Sequence, residues 1–291
     1  MLSQRLRERL AELNRQPVPA AAAATRPDTA RTNTAHSKPA SPARDYSISS
    51  VDDAYASGRE IETPYGKHWL IERPIAALWP KSHDLLARTA DSLSVVATDE
   101  AAHPDWQRFA TGFPREAVFL DLETCGFAGS MVFLVGVIHE DEHGLVLSQL
   151  LARNYAEEAA MFFTLWEIMR SRGVLLTFNG KSFDWPMVND RSVLYRLDAA
   201  GHTRDLDHHI DLLHHARRQY RRELPNCRLQ TLEWYLCGRR RTGDIPGSEI
   251  PDAYHHYVRT GDTWEMKSIL HHNALDLITL LQLSLRMATA R

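Results

Sequence analysis

With 291 residues, 44% of them hydrophobic, the chain has material for a sizeable core in one medium domain with extra segments, or in two small domains. A net charge of −3 excludes general polyanion binding, so any nucleic-acid contact must come from local basic patches. Three cysteines without a C-x-x-C pair argue against a disulfide framework or a zinc ribbon and fit a reducing cytoplasm, and the longest apolar runs, such as Met131–Ile138, are too short to span a bilayer.

In chain order, residues 2–15 place Leu2, Leu6, Leu10 and Leu13 on one helical face among mixed charges. The acids argue against an organelle-targeting helix, so 1–15 is expected to be a docking helix for a protein partner. Residues 16–44 are rich in Ala, Pro, Thr and Ser, cannot bury enough surface to offset ordering entropy, and are expected to be a disordered linker. Residues 45–112 form a small annex, with a turn at Thr63-Pro-Tyr-Gly66, a strand at His68–Glu72 and a helix over Leu85–Val95. The main domain is expected over 113–291. Three strands come first: Glu116–Thr124, Met131–His139 and Leu145–Leu151, antiparallel because their connections are short. A helix over Ala156–Arg170, a buried strand at Val174–Phe178 and a helix over Ser182–Leu197 follow. After these come a short element at Ile210–Leu213 and helices over Leu229–Leu236, Asp252–Thr260 and Thr263–Met287. This order predicts an α/β mixed sheet flanked by helices.

Four carboxylates stand out against this frame. Asp121 and Glu123 alternate with apolar residues on the first strand of the domain, so they share one face and repel unless something positive sits between them. All-oxygen ligands of this kind suit Mg²⁺ or Mn²⁺; the bland alternative is a charged strand end. Asp184 follows a buried strand and a glycine turn, where α/β sheets place ligand sites, although it would also favour the positive end of the next helix. Ser182 is a candidate cap for that helix. Asp276 sits in an apolar helical run and needs a partner or a metal. His272 is four residues before it, on the same helical face; His271 is five before, about 140° away on the wheel. Asn179 and Lys181 are placed to meet a phosphate or simply to serve the turn. Arg217, Arg218, Arg221 and Arg222, with Tyr220 among them, and Arg239–Arg241 are the dense basic clusters, expected to neutralise phosphates, the bland alternative being a solvated helix face. Asp211 is read either as support for a metal site or as the cap of an element. The histidine pairs at 208–209, 214–215 and 255–256 lack cysteine partners at zinc-ligand spacing.

As an ordered set these motifs resemble the DEDD exonuclease superfamily, which has a ribonuclease-H-like fold. More closely, Phe119-Leu-Asp-Leu-Glu-Thr124, Thr177-Phe-Asn-Gly-Lys-Ser-Phe-Asp184, His209-Ile-Asp-Leu-Leu-His214 and His272-Asn-x-x-Asp276 resemble the bacterial YprB-type predicted exonuclease family, from Phe113 to Leu285. The resemblance implies two divalent ions, Mg²⁺ or Mn²⁺, held by Asp121, Glu123, Asp184 and Asp276, and 3′–5′ hydrolysis at a single-stranded DNA or RNA end. Candidate substrate-binding side chains are Thr124, Asn179, Lys181, Arg217, Arg218 and Arg221. The superfamily has a histidine type, with His five before the last Asp, and a tyrosine type, with Tyr four before. His271 has the first spacing and His272 the second, with the wrong residue for it, so the general base is left between them, the His-Asn pairing favouring His272. The rival readings are a non-catalytic nucleic-acid-binding protein that keeps the fold, a structure-specific endonuclease, and an adaptor whose N-terminal helix recruits partners.

Overall fold

The structure, a computed structural model, describes residues 54–126 and 129–290. The docking helix expected over 1–15 and the linker expected over 16–44 lie outside the described residues. Seven strands form one sheet: β1 Arg59–Thr63, β2 Gly66–Pro74, β3 Ala117–Thr124, β4 Val132–Asp141, β5 Gly144–Leu151, β6 Val174–Thr177 and β7 His208–Asp211. Their order is β1-β2-β5-β4-β3-β6-β7. The first five run antiparallel to their neighbours, whereas β3, β6 and β7 are parallel. The α/β mixed sheet flanked by helices predicted by the pattern is the one observed. From the region expected to be an annex, β2 pairs with β5 and β1 with β2, so both extend the same sheet.

Alternation along β3 sorts its side chains between two cores. Phe119 faces the cluster built with α1 (Ile75–Leu78), α2 (Ser82–Thr98), α3 (Pro104–Gly112) and the long C-terminal helix Trp264–Thr289. Val118 and Leu120 face the cluster built with α4 (Glu158–Met169) and α5 (Asp184–Leu194). The remaining helices are α6 Leu212–Tyr220, α7 Leu229–Leu232, α8 Ile250–Thr260 and α9, the C-terminal helix. Helix α7 runs on into a π-helical turn, Glu233–Cys237, ended by Gly238 in a left-handed conformation at φ 69°. Because β3, β6 and β7 are parallel, their C-terminal ends and the turns that follow lie along one edge of the sheet, where open α/β sheets place ligands.

Candidate metal centre

Asp121 and Glu123 occupy the last turn of β3, where the strand passes from fully buried to partly exposed and a bulge follows between Glu123 and Thr124. They lie on the Phe119 face, under α9. Asp121 pairs in register with Gly136 of β4. The absence of a side chain there has a clear cause: a Cβ on Gly136 would lie 2.1 Å from Asn273 Oδ1 and 2.6 Å from Leu277 Cδ1. Glycine lets α9 settle on the sheet, and Asn273 Nδ2 then donates to Asp121 Oδ2 at 2.8 Å. Gln149 fixes the amide from behind, its Nε2 donating to Asn273 Oδ1 at 2.9 Å and to the Leu270 carbonyl at 2.8 Å.

The turn after β6 is held by Asp211. This buried carboxylate accepts from the Asn179 amide at 2.7 Å, the Lys181 amide at 3.1 Å and the Leu213 amide at 3.1 Å. It therefore both caps α6 and pins the turn that delivers Asp184. Asn179 adopts φ 66°, a left-handed conformation that asparagine tolerates better than most residues. Asp184 begins α5, with Phe183 at the N-cap and no side-chain capping bond, so Ser182 does not act as the cap.

On α9, His272 donates from Nδ1 to Asp244 Oδ1 at 2.8 Å, which leaves Nε2 3.6 Å from Asp276 Oδ2. Arg241 ties this group together. It reaches Glu233 at 2.6 Å, Asp244 at 3.1 Å and Asp276 at 2.5 Å, with its side chain only 6% exposed. Arg239 also turns inward, to Glu233, Thr279 and Gln282. The reading of Arg239–Arg241 as a phosphate-facing cluster is thus corrected: two of the three serve a buried ion-pair network, because a buried Glu233 requires positive partners. Arg240 alone stays outside, over the Trp234 ring at 4.9 Å. His271 lies on another side of α9. Its Nδ1 is buried without a hydrogen-bond partner, and burial lowers its pKa, with Asp244 opposing.

The charges interact strongly. Burial raises Asp121 well above the ordinary carboxylate range, and Asp276, Glu123 and Asp184 push it further; Asn273 opposes them. Glu123 is pushed up to about 8, first by burial and then by Asp276, Asp184 and Asp244, against the pull of His272. Asp184 rises to about 7 through burial, with its own and the Leu122 backbone amides opposing and Asp211 and Asp276 adding. Burial disfavours a charged His272, but the bond to Asp244 and the charges of Asp276 and Glu123 outweigh it, and its pKa rises to about 9.

Burial and mutual repulsion thus disfavour charge on Asp121, Glu123 and Asp184 unless a cation is present. Among the described residues, Glu123 makes no side-chain hydrogen bond or ion pair, and the donors are all hard oxygens. The set fits Mg²⁺ or Mn²⁺. It is an open set: among the described residues, the three metal-capable side chains whose ligand atoms all lie within 4.8 Å of one another are elsewhere, at His103, Asp105 and His215.

The substrate-binding candidates fall in different places. The Thr124 hydroxyl donates to the Gly126 carbonyl at 2.7 Å and so closes its own turn. Asn179 and Lys181 contribute backbone amides to the Asp211 network. Arg217, Arg218 and Arg221 lie six, seven and ten residues beyond Asp211, about 9–15 Å along α6. They line a surface concavity with Arg222, away from the carboxylates. The residues that sequence reasoning missed are Asn273, Gln149, Asp244 and Gly136. Only Asn273 carried a signal, in its place within His272-Asn-x-x-Asp276.

A mixed sheet with carboxylates at adjoining strand ends, crossed by a long helix that brings another, defines a ribonuclease-H-like domain. The family model described as the RNase_H superfamily matches residues 118–288, and the chain belongs to that superfamily. It is 34% identical over 183 residues to a protein of Bacillus subtilis (strain 168) described as "Uncharacterized protein YprB", with 62% of this chain and 44% of that one covered. The chain thus spans less than half the length of this relative, in which the YprB-type resemblance is met. Among solved structures it is similar to the family B DNA polymerase from the hyperthermophilic archaeon Pyrobaculum calidifontis, at 14% identity and a TM-score of 0.44, over 66% of this chain and 28% of that one.

Proposed function

We propose that this chain is a metal-dependent 3′–5′ exonuclease of the DEDD type, hydrolysing phosphodiester bonds at single-stranded DNA or RNA ends. The observation that carries the reading is the convergence of Asp121, Glu123, Asp184 and Asp276 from β3, α5 and α9: Asp276, Glu123 and Asp184 raise the Asp121 pKa, Asp276 also raises those of Glu123 and Asp184, and Glu123 has no side-chain partner among the described residues. These four residues would hold two Mg²⁺ or Mn²⁺ ions. Such a pair, when bound, stabilises the attacking and leaving oxygens of an in-line displacement. The chain's own residues supply the rest. Asn273 and Gln149 fix Asp121, Asp211 fixes the turn before Asp184, and Arg241 fixes Asp276. Asp244 holds His272 in one orientation, which turns Nε2 toward the carboxylates as the acceptor of the attacking water's proton. The Asp244 bond and the charges of Asp276 and Glu123 hold the His272 pKa at about 9, so the ring would accept that proton only once bound cations offset the carboxylate charge.

One observation favours a second reading, a nucleic-acid-binding protein that keeps the fold without catalysis: Arg241 already pairs with Asp276 as a built-in cation. Degradation of 5′-labelled single-stranded DNA and RNA separates the two. The nuclease reading expects ladders shortened from the 3′ end in Mg²⁺ or Mn²⁺, abolished by EDTA and by Asp121→Asn. Tight binding with no cleavage in either metal would overturn it in favour of the second.

A further inference from the structure

At the opposite end of β7 from Asp211, three histidines surround one carboxylate. Strand β7 begins at His208 and ends at Asp211, so this group lies about 10 Å along the strand from the turn that carries Asp184. Asp105 stands in the first turn of α3. Its Oδ1 accepts from His208 Nε2 at 2.8 Å and its Oδ2 from His215 Nε2 at 2.7 Å. His103 caps α3: its Nδ1 accepts the Asp105 amide at 3.1 Å. The ligand-capable atoms of His103, Asp105 and His215 all lie within 4.8 Å of one another. The rings are well held, His215 lying 4.9 Å from His103 at 78° and 4.4 Å from Trp106.

The cap bond also brings two acceptor atoms near each other. His103 Nδ1 lies 3.8 Å from Asp105 Oδ2, and because that nitrogen accepts a backbone amide, it has no proton to offer the carboxylate. Two electron-rich atoms therefore face each other, with a third ligand atom, His215 Nε2, on the same oxygen. A cation completes such an arrangement. Imidazole nitrogens with one carboxylate suit a borderline ion such as Zn²⁺ rather than Mg²⁺. At ligand bonds of about 2.0–2.1 Å, tetrahedral ligand atoms sit roughly 3.3 Å apart, inside the span these atoms already cover.

We propose that His103, Asp105 and His215 form a three-ligand Zn²⁺ site whose fourth position is left to water, with His208 orienting the carboxylate through its other oxygen. Binding moves the His215 Nε2 proton to Nδ1 or to solvent and exchanges its bond to Asp105 and the His103 capping bond for ligand bonds. It clamps α3, which precedes the matched superfamily region, to β7 and α6. The proposal does not rest on the nuclease reading. The two histidines of the 208–209 and 214–215 pairs that take part come from different pairs, which is why adjacency in sequence did not reveal the site.

The test is Co²⁺ and Zn²⁺ binding to the full chain, followed by the visible absorption of Co²⁺ and by melting temperature. The variants are His103→Ser, which keeps a capping side chain but removes the ligand, His215→Gln, and Asp121→Asn to remove the carboxylate cluster. The site expects low-symmetry Co²⁺ bands and a Zn²⁺-dependent rise in Tm in the wild type and in Asp121→Asn. Both should be lost in His103→Ser, with Zn²⁺ affinity at least about 10-fold weaker in each histidine variant. Unchanged bands and affinity in His103→Ser and His215→Gln, or no Zn²⁺ binding by Asp121→Asn at micromolar metal, would overturn it.

Discussion

Gly136→Ala is the sharpest perturbation of the carboxylate site that leaves every carboxylate in place. The added Cβ would meet Asn273 Oδ1 at 2.1 Å and Leu277 Cδ1 at 2.6 Å. Asn273 cannot yield freely, because Gln149 holds its Oδ1 and Asp121 holds its Nδ2. Either α9 lifts or the amide swings away. Overpacking of this kind destabilises by about 1–3 kcal/mol. Loss of the hydrogen bond to Asp121 adds about 0.5–1.5 kcal/mol, and the two overlap, so about 2–4 kcal/mol is expected in all. For a chain of this size that lowers Tm by about 5–15 °C. Urea unfolding of Gly136→Ala, Asn273→Ala and the double variant measures it. In Asn273→Ala the clashing oxygen is gone, Gln149 keeps the Leu270 carbonyl and only the Leu277 clash remains, so Gly136→Ala should cost at least about 1 kcal/mol less there than in the wild type. A Gly136→Ala variant within about 0.5 kcal/mol of wild type, or an equal loss in both backgrounds, would refute the packing argument.

Two further outcomes follow from the same site. In EDTA, stability should fall as pH rises from 6.5 to about 9, seen in urea melts at several pH values. Asp184 and Glu123, raised to about 7 and about 8, and His272, raised to about 9, all hold protons more tightly folded than unfolded, so their stabilisation is lost as pH climbs through those values. His68 and His209, lowered by burial to about 4, act in the opposite sense only below 6.5, and a flat profile between 6.5 and 9 would contradict the assignment. For activity, His272→Ala should lose roughly 100- to 10,000-fold in turnover and His271→Ala far less. A severe loss confined to His271→Ala would move the general base to the other histidine.

The strands and the long helix were legible because their apolar residues recur with the right period: Val118, Phe119 and Leu120 announce β3, and Ile269, Leu270, Leu277 and Ile278 announce α9. Asp121, Glu123 and Asp276 drew notice because carboxylates in apolar elements are costly, and Asp184 because it follows a buried strand and a glycine turn. The supporting residues did not. Gly136 looks like any glycine in a strand until α9 is laid on it, and Asp244 lies in a loop whose path no periodicity specifies. Arg239 and Arg241 misled because a charge run says nothing of the buried Glu233 that draws it inward. The role of β1 and β2 in the same sheet also depends on long-range pairing with β5, which short-range signals do not carry.

The most direct test of the central claim is anomalous diffraction from crystals soaked in millimolar Mn²⁺, compared between wild type and Asp121→Asn. The account predicts anomalous peaks among Asp121, Glu123, Asp184 and Asp276, at oxygen-ligand distances of about 2.0–2.2 Å, absent in the variant. Crystals that show no peak there, with Arg241 still paired to Asp276, would contradict it.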